Sequence, residues 1–308
     1  MIHAHSVDEL DLEKSWLTIG VFDGVHRGHQ QILRRLVDGA HARKLPALAM
    51  TFWPHPASVL GSQDVKVLTM PDERARLMAA LGVDVMISQP FDRTVANTSA
   101  ADFIAQLEKH LGFERLLIGY DFALGKGRQG DAARLTEMGR DLGYGVEVIP
   151  ALGDESGVIS STEIRKLVAI GNVAEAEVLL GHCYGLQGPV VHGDGRGKDL
   201  GFPTANIQYP PEKMLPANGV YACHVWIDDK VHMGAINVGV RPQFHASAEH
   251  PLVEAYILDF DRDLYGQEVR LEFVARLRAE QKFPSVDALI ERMHTDVEQA
   301  RRILAGDL

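Results

Sequence analysis

Gly20-Val-Phe-Asp-Gly-Val-His-Arg-Gly-His29 follows a β-rich run, Trp16 to Val21, and leads into Ile32, Leu33, Leu36, Val37 and Ala40. Those five recur at helical spacing, with Arg34, Arg35 and Asp38 on the other face, so the motif joins a strand end to a helix start. At such a junction, free backbone N–H groups and the helix dipole attract anions. Gly20, Gly24 and Gly28 let a ligand approach the backbone closely. His26 and His29, three residues apart, put two ring donors on one helix face. The pattern points to phosphate. The same residues also suit a plain helix start, capped by Asp23 with both histidines at the surface. A zinc ion would need a third ligand, which only Asp23 or His55 could be nominated to supply.

Outward from this turn, β-rich runs at Ala47 to Phe52, Val83 to Ser88, Leu116 to Gly119 and Val146 to Pro150 alternate with amphipathic segments. That alternation predicts an α/β, Rossmann-like parallel sheet with crossover helices. Beyond Gly181 the period changes. Runs at Cys183 to Val191, Gly219 to Ile227, Val231 to Val238, Val253 to Asp259 and Val269 to Ala275, with a turn at Asp228-Asp229, predict an antiparallel β-barrel. A C-terminal helix from about Ser285 to Leu304 closes it, with Val286, Leu289, Ile290, Met293, Val297 and Ala300 as its buried stripe. The chain is thus expected to be α/β plus β, with domains at 1–183 and 184–308.

The 308 residues suit two domains, and 46% hydrophobic with 24% charged residues excludes a disordered or collagen-like chain. The formal charge of −11 opposes binding to nucleic acid or anionic lipid. Cys183 and Cys223 are too few for a disulfide framework, which suits a reducing, cytoplasmic setting. No stretch approaches ~18 uninterrupted apolar residues and the acidic N-terminus lacks an apolar leader, so neither membrane spanning nor export is expected.

Gly125-Lys-Gly-Arg-Gln-Gly130 matches Gly-x-Gly-x-x-Gly, with Glu147 at the end of the next strand. Tyr120-Asp-Phe-Ala-Leu124 separates it from the preceding strand, whereas a dinucleotide fingerprint needs its tight turn at the strand end. A partly basic loop with Asp121 as a polar contact, or a plain surface loop, is the better expectation.

Gly20 to His29 resembles the signature of the HxGH nucleotidyltransferase superfamily, in the form found in bacterial bifunctional riboflavin kinase/FMN adenylyltransferases. Thr51-Phe-Trp-Pro-His-Pro56, Ile118-Gly-Tyr-Asp-Phe-Ala-Leu-Gly125 and Ile159-Ser-Ser-Thr-Glu-Ile-Arg165 resemble further segments of that family, in the same order. Ser160 and Glu163 fit a capping box, while Ser161, Thr162 and Arg165 present phosphate donors. The resemblance implies that Gly20, Phe22, Asp23, Gly24, His26, His29, Ser161, Thr162 and Arg165 hold the phosphates of ATP. It implies FMN beside Pro54, His55, Pro56 and Asp121.

The second half carries a glycine-rich run with Arg196 and Lys198, and then Leu200-Gly-Phe-Pro-Thr-Ala-Asn206, which resembles the Gly-x-Pro-Thr-Ala-Asn signature of riboflavin kinases. A glycine-rich turn with cations can wrap phosphates, although no Walker A sequence is present. The resemblance implies a kinase ATP site at Gly193, Arg196, Gly197, Lys198, Gly201, Thr204 and Asn206. Thr204 and Asn206 are hard oxygen ligands suited to Mg²⁺. Glu254, in Val253-Glu-Ala-Tyr-Ile-Leu-Asp-Phe260, matches the position of the family's general base. After Asn237-Val-Gly-Val the family continues with Asn or Arg and then Pro-Thr-Phe-Gly, whereas this chain has Arg241-Pro-Gln-Phe-His245. The implied substrates and products are riboflavin, FMN, FAD and ATP, handled by a monomer or weak homo-oligomer with catalytic Glu254, His26 and His29.

Overall fold

The strands of the first half are apolar on both faces, as strands covered by helices on either side must be. The computed structural model describes every residue except 62–64, 155–156, 194–196, 198–200, 240–250 and 307–308. Its first strands are β1 (Ile2–Ala4), β2 (Ser15–Ile19), β3 (Ala47–Trp53), β4 (Val85–Pro90), β5 (Phe113–Gly119) and β6 (Gly145–Ile149). They form one sheet in the order β1-β4-β3-β2-β5-β6, every pair parallel. The crossovers carry α1 (Arg27–Ala42), α2 (Pro56–Leu60), α3 (Pro71–Ala80), α4 (Arg93–Asn97), α5 (Ala100–Leu111) and α6 (Ala132–Leu142).

Alternate strand residues feed two cores. Leu17, Ile19, Leu48 and Met50 pack with Phe103, Ile104 and Leu107 of α5, while Trp16, Ala47, Ala49 and Leu117 pack with Leu33, Leu36 and Val37 of α1. The expected apolar stripe of α1 is the buried one. β2 is central, with β3 on one side and β5 on the other, so the turn leaving it stands at the switch point where open α/β sheets bind ligands. β1 was not foreseen from the sequence.

The chain divides into two compact units, Met1–Ser161 and Thr162–Leu308. A small hairpin, β7 (Gly153–Asp154) with β8 (Gly157–Val158), precedes that division, and α7 (Ser161–Ala169) begins at it. α8 (Val173–Leu180) packs on strands of the second unit, and Arg276 Nη1 donates to Ile170 O at 3.1 Å between the two helices. α7 beyond Ser161 and all of α8 are therefore compact with the second unit, whereas the sequence expectation set its domain boundary at 183/184.

The second unit is a closed barrel of β9 (Tyr184–Val191), β10 (Ala205–Ile207), β11 (Gly219–Ile227), β12 (Lys230–Gly239), β13 (Leu252–Ile257) and β14 (Glu268–Ala279). The order is β10-β13-β12-β11-β14-β9, all antiparallel. The expected turn is present: Asp228 (φ 49°) and Asp229 (φ 60°) both take left-handed conformations between paired Ile227 and Lys230, as a primed two-residue hairpin requires.

The C-terminal helix, α9 (Val286–Ala305), corrects one expectation. Val286 is 58% exposed, and only Asp296 and Ala300 are buried. The helix seats on the barrel through its later turns, where Ala300, Val297, Ile303 and Leu304 meet Ala222, Ala235 and Leu277. The Asp296 carboxylate fixes it, 2.8 Å from Arg278 Nη2 and 3.1 Å from Arg292 Nε.

Candidate active sites

The turn between β2 and α1 is strained. Phe22 (φ 50°) and Val25 (φ 42°) occupy left-handed conformations that non-glycine residues avoid, at a cost of roughly 1–3 kcal/mol each. Buried polar contacts hold it there. The Asp23 carboxylate accepts from Leu68 N at 3.0 Å and Thr69 N at 2.9 Å, Thr69 Oγ1 accepts from Gly24 N at 2.9 Å, and Ser161 Oγ donates to Asp23 O at 2.8 Å. Asp23 is thus an inward anchor rather than the helix cap. The cap is His26, whose Nδ1 accepts from His29 N at 3.3 Å.

Neither histidine is a plain surface residue. His26 is 6% exposed, its ring stacks on that of His29 at 3.6 Å, and His29 meets Phe22 edge-on at 5.2 Å. Gly28 gives the stack room, since a Cβ there would stand 3.2 Å from the His26 ring, closer than ordinary contact. Burial pushes His26 down to about 4, against the opposing pull of Asp23. Burial, and then the charges of His26 and Arg74, hold His29 well below the usual range. Both rings are therefore neutral near pH 7. With Nδ1 of His26 accepting, its proton sits on Nε2, which becomes a donor to a ligand. Nδ1 of His29 is buried without a hydrogen-bond partner among the described residues. Two neutral imidazoles at a helix N-terminus can receive phosphate oxygens without a metal ligand set, and no group of three metal-ligating His, Cys, Asp or Glu side chains occurs among the described residues.

Parallel strands end on one edge of the sheet, which brings other expected residues to the same side as this turn. Pro54, His55 and Pro56 follow β3; the Trp53–Pro54 peptide is cis, and His55 Nδ1 caps α2 by accepting from Ala57 N at 3.1 Å. Asp121 follows β5 and is exposed, with Arg128 Nη2 donating to its carbonyl at 2.7 Å. Ser161, whose Oγ reaches Asp23 O, ends the first unit, while Thr162 and Arg165 continue α7 in the second. Gly125 to Gly130 folds back on itself through the Leu124–Gly130 bridge, and Glu147 is held by Arg35 at 2.7 Å. Neither is placed as a dinucleotide fingerprint requires.

In the barrel, Glu254 pairs in register with Asn206 of β10 on one side and Asn237 of β12 on the other. Directly opposed residues share a face, and Asn237 Nδ2 donates to Glu254 Oε2 at 3.4 Å. Val253, Ala255 and Ile257 are buried, which leaves half-buried Glu254 on the opposite face of β13. Thr204 lines a cavity of about 170 Å³ together with Val190, Phe260 and Tyr265, and His192 stacks on Tyr265 at 3.8 Å. The glycine-rich run presses against the same side chains. A Cβ on Gly193 would lie 2.2 Å from Asn206 Nδ2, and one on Gly197 would lie 3.3 Å from Thr204 Oγ1. Gly201 is left-handed (φ 82°). Arg196, Lys198 and the 241–245 segment lie outside the described residues.

Two family models divide the chain between them: FAD synthetase over residues 8–163 and riboflavin kinase over residues 180–304. A bifunctional riboflavin kinase/FMN adenylyltransferase of Escherichia coli K12 is 37% identical over 300 residues, covering 96% of this chain and 95% of its own. The chain belongs to the bifunctional riboflavin kinase/FMN adenylyltransferase family. The Bacillus subtilis member is 33% identical over 99% of this chain and 97% of its own. A solved Streptococcus pneumoniae structure described as a macrolide-efflux protein superposes with a TM-score of 0.86 at 32% identity, covering 97% of this chain and 98% of that one. No described helix of the present chain is long and apolar enough to cross a membrane. The order of the two matched regions agrees with the order of the two sites.

Two residues at these sites were missed from the sequence. Arg74 of α3 is 1% exposed, with Nη1 2.5 Å from Thr51 Oγ1, Nη2 3.1 Å from Thr69 O and 3.9 Å from Asp23 Oδ1. Asn237 was noted only as the start of a loop motif. Strand register, rather than spacing along the chain, brings it to Glu254.

Proposed function

We propose that residues 1–183 carry FMN adenylyltransferase and residues 184–308 carry riboflavin kinase, so that the chain makes FMN from riboflavin and then FAD from FMN. In the kinase, Glu254 accepts the proton of the ribityl 5′-hydroxyl as that oxygen attacks the γ-phosphate of ATP. The bond to the β-phosphate oxygen breaks, giving FMN and ADP. The kinase assignment rests on Glu254 lying between Asn206 and Asn237 on one barrel face. Mg²⁺, when bound, neutralises phosphate charge there, and the Thr204 hydroxyl and Asn206 amide oxygen are the hard donors that would hold it. Gly193, Gly197 and Gly201, with Arg196 and Lys198, would surround the phosphates.

In the adenylyltransferase, the FMN phosphate attacks the α-phosphate of a second ATP and pyrophosphate leaves. His26, His29, Ser161, Thr162 and Arg165 stabilise the charge that gathers on the transferring and leaving phosphates. The supporting observation is the stacked His26–His29 pair at the switch point. Asp23 and Gly24 serve there by shaping the turn, because the Asp23 carboxylate and the Gly24 amide are both engaged within the protein. Pro54, His55, Pro56 and Asp121 border FMN. The protein acts in the cytoplasm as a monomer or weak homo-oligomer, with small-molecule substrates.

A chromatographic time course of the purified protein with riboflavin, ATP and Mg²⁺, beside a sample given FMN, tests the whole scheme. FMN followed by FAD is expected. FMN alone would overturn the adenylyltransferase assignment, and no conversion in either sample would mean a flavin-binding protein without turnover.

A further inference from the structure

Arg74 lies far along the chain from the histidine motif, yet it is built into the floor beneath it. Its guanidinium reaches Thr51 at the end of β3, the carbonyl of Thr69 and, at 3.9 Å, the carboxylate of Asp23. Asp23 in turn holds the backbone of Leu68 and Thr69, and Thr69 holds the amide of Gly24 inside the strained turn. A salt bridge this deeply buried is a poor source of stability, because desolvating both ions offsets most of their attraction. Here the desolvation is incompletely offset, since Arg74 Nε is buried without a hydrogen-bond partner among the described residues. An aliphatic side chain would fill a purely structural position at lower cost. What an aliphatic side chain cannot do is hold three separate segments in one geometry with a planar fork of donors.

We propose that Arg74 is a positioning residue for adenylyl transfer, acting through Thr69 and Asp23 to hold the Phe22–Val25 turn, and with it His26 and His29, in the shape that receives the triphosphate. This rests on the assignment of His26 and His29 to the ATP phosphates. The strain at Phe22 and Val25 has to be held in place, and the Asp23–Thr69–Arg74 network does so together with Ser161 Oγ, which donates to Asp23 O. Arg74 also places a fixed positive charge near His29, which contributes to keeping that ring neutral. Asp23 and Glu73 are the acids facing the Arg74 charge.

The test uses the full chain carrying Arg74→Met, Arg74→Lys or Thr69→Val, assayed for FMN-to-FAD and riboflavin-to-FMN conversion over a range of ATP concentrations. Arg74→Met is expected to raise KM for ATP and lower kcat in the adenylyl transfer, with kcat/KM falling on the order of 10²-fold, as misplaced catalytic groups do. Arg74→Lys, which keeps the charge without the fork, should recover part of the loss. Thr69→Val, which leaves Arg74 in place but frees the Gly24 amide, should reproduce the rise in KM even if Arg74→Met does not fold. Riboflavin phosphorylation should stay near wild type in all three. A folded Arg74→Met protein with wild-type constants would overturn the proposal. So would a fall in kcat with KM unchanged in every variant, which is the signature of a smaller active fraction. His29→Ala separates the two levels: if it leaves adenylyl transfer intact, the phosphate-site assignment itself is wrong. If it impairs transfer while Arg74→Met and Thr69→Val do not, only the role of Arg74 is.

Discussion

The imidazoles of His26 and His29 stack at 3.6 Å with their planes 20° apart, one capping the helix from which the other projects. Burial holds both neutral, and His26 falls from 6.5 to about 4. A histidine depressed on folding binds more protons in the unfolded chain. Its contribution is therefore complete above pH 6.5 and lost as pH falls through about 4. For His26 the loss amounts to about 3 kcal/mol. Urea unfolding at pH 7.5 and 4.5 should show a smaller pH dependence in His26→Asn, which keeps a side-chain cap acceptor but cannot protonate. Equal dependence in both proteins would refute it.

Gly28→Ala separates helix stability from site geometry. Alanine is the better helix former by about 1 kcal/mol, so stability should not fall on backbone grounds. The new Cβ would stand 3.2 Å from the His26 ring, which must shift by a few tenths of an ångström against His29. FAD formation from FMN should drop on the order of tenfold with the melting temperature unchanged or raised. A wild-type rate would mean the stack is incidental.

Glu254 and Asn237 make a graded pair of tests in the kinase. Glu254→Gln keeps the shape and removes the base, so FMN formation should fall about 10²–10⁴-fold while added FMN is still converted to FAD. Asn237→Ala removes the donor 3.4 Å from the carboxylate and should cost about tenfold in kcat with KM for ATP unchanged. Steady-state assays of the two reactions in parallel decide both. Loss of FAD formation from FMN in a folded Glu254→Gln protein would break the division of labour.

What could be read ahead of the structure was local in the chain. The strand-to-helix junction at Gly20 to His29, the stripe of α1 and the Asp228-Asp229 hairpin each declare themselves within a few residues, where spacing and turn chemistry act. β1 and β10 are three residues each, too short for alternation to register. The sequence offers Asp23 either as a helix cap or, by resemblance, as a phosphate-site residue, and neither reveals its partners, Leu68 and Thr69, which arrive from a distant segment that no periodicity announces. The same holds for Arg74 and for Asn237, whose proximity to Glu254 is a property of barrel register. The residue types for phosphate chemistry were legible; the contacts that hold them in place were not.

The seating of α9 gives the last prediction. The sequence predicts an apolar stripe continuous from Val286, yet the buried anchor is a carboxylate, Asp296, 3% exposed, hydrogen-bonded by Arg278 and within ion-pair distance of Arg292. Asp296→Ala leaves the Arg278 guanidinium without its main counter-charge on a largely buried surface, and removing one partner of a buried pair costs about 3–5 kcal/mol. Replacing all three together by apolar residues of similar size, as in Asp296→Leu with Arg278→Met and Arg292→Met, should recover most of that stability, because no charge is then left unpaired. Thermal unfolding of the single and triple variants, with loss of riboflavin kinase activity as a second probe of the barrel, distinguishes a charge anchor from simple packing. If the triple variant melts as low as Asp296→Ala, the stability comes from the ionic contacts themselves, and the uncompensated-charge account fails.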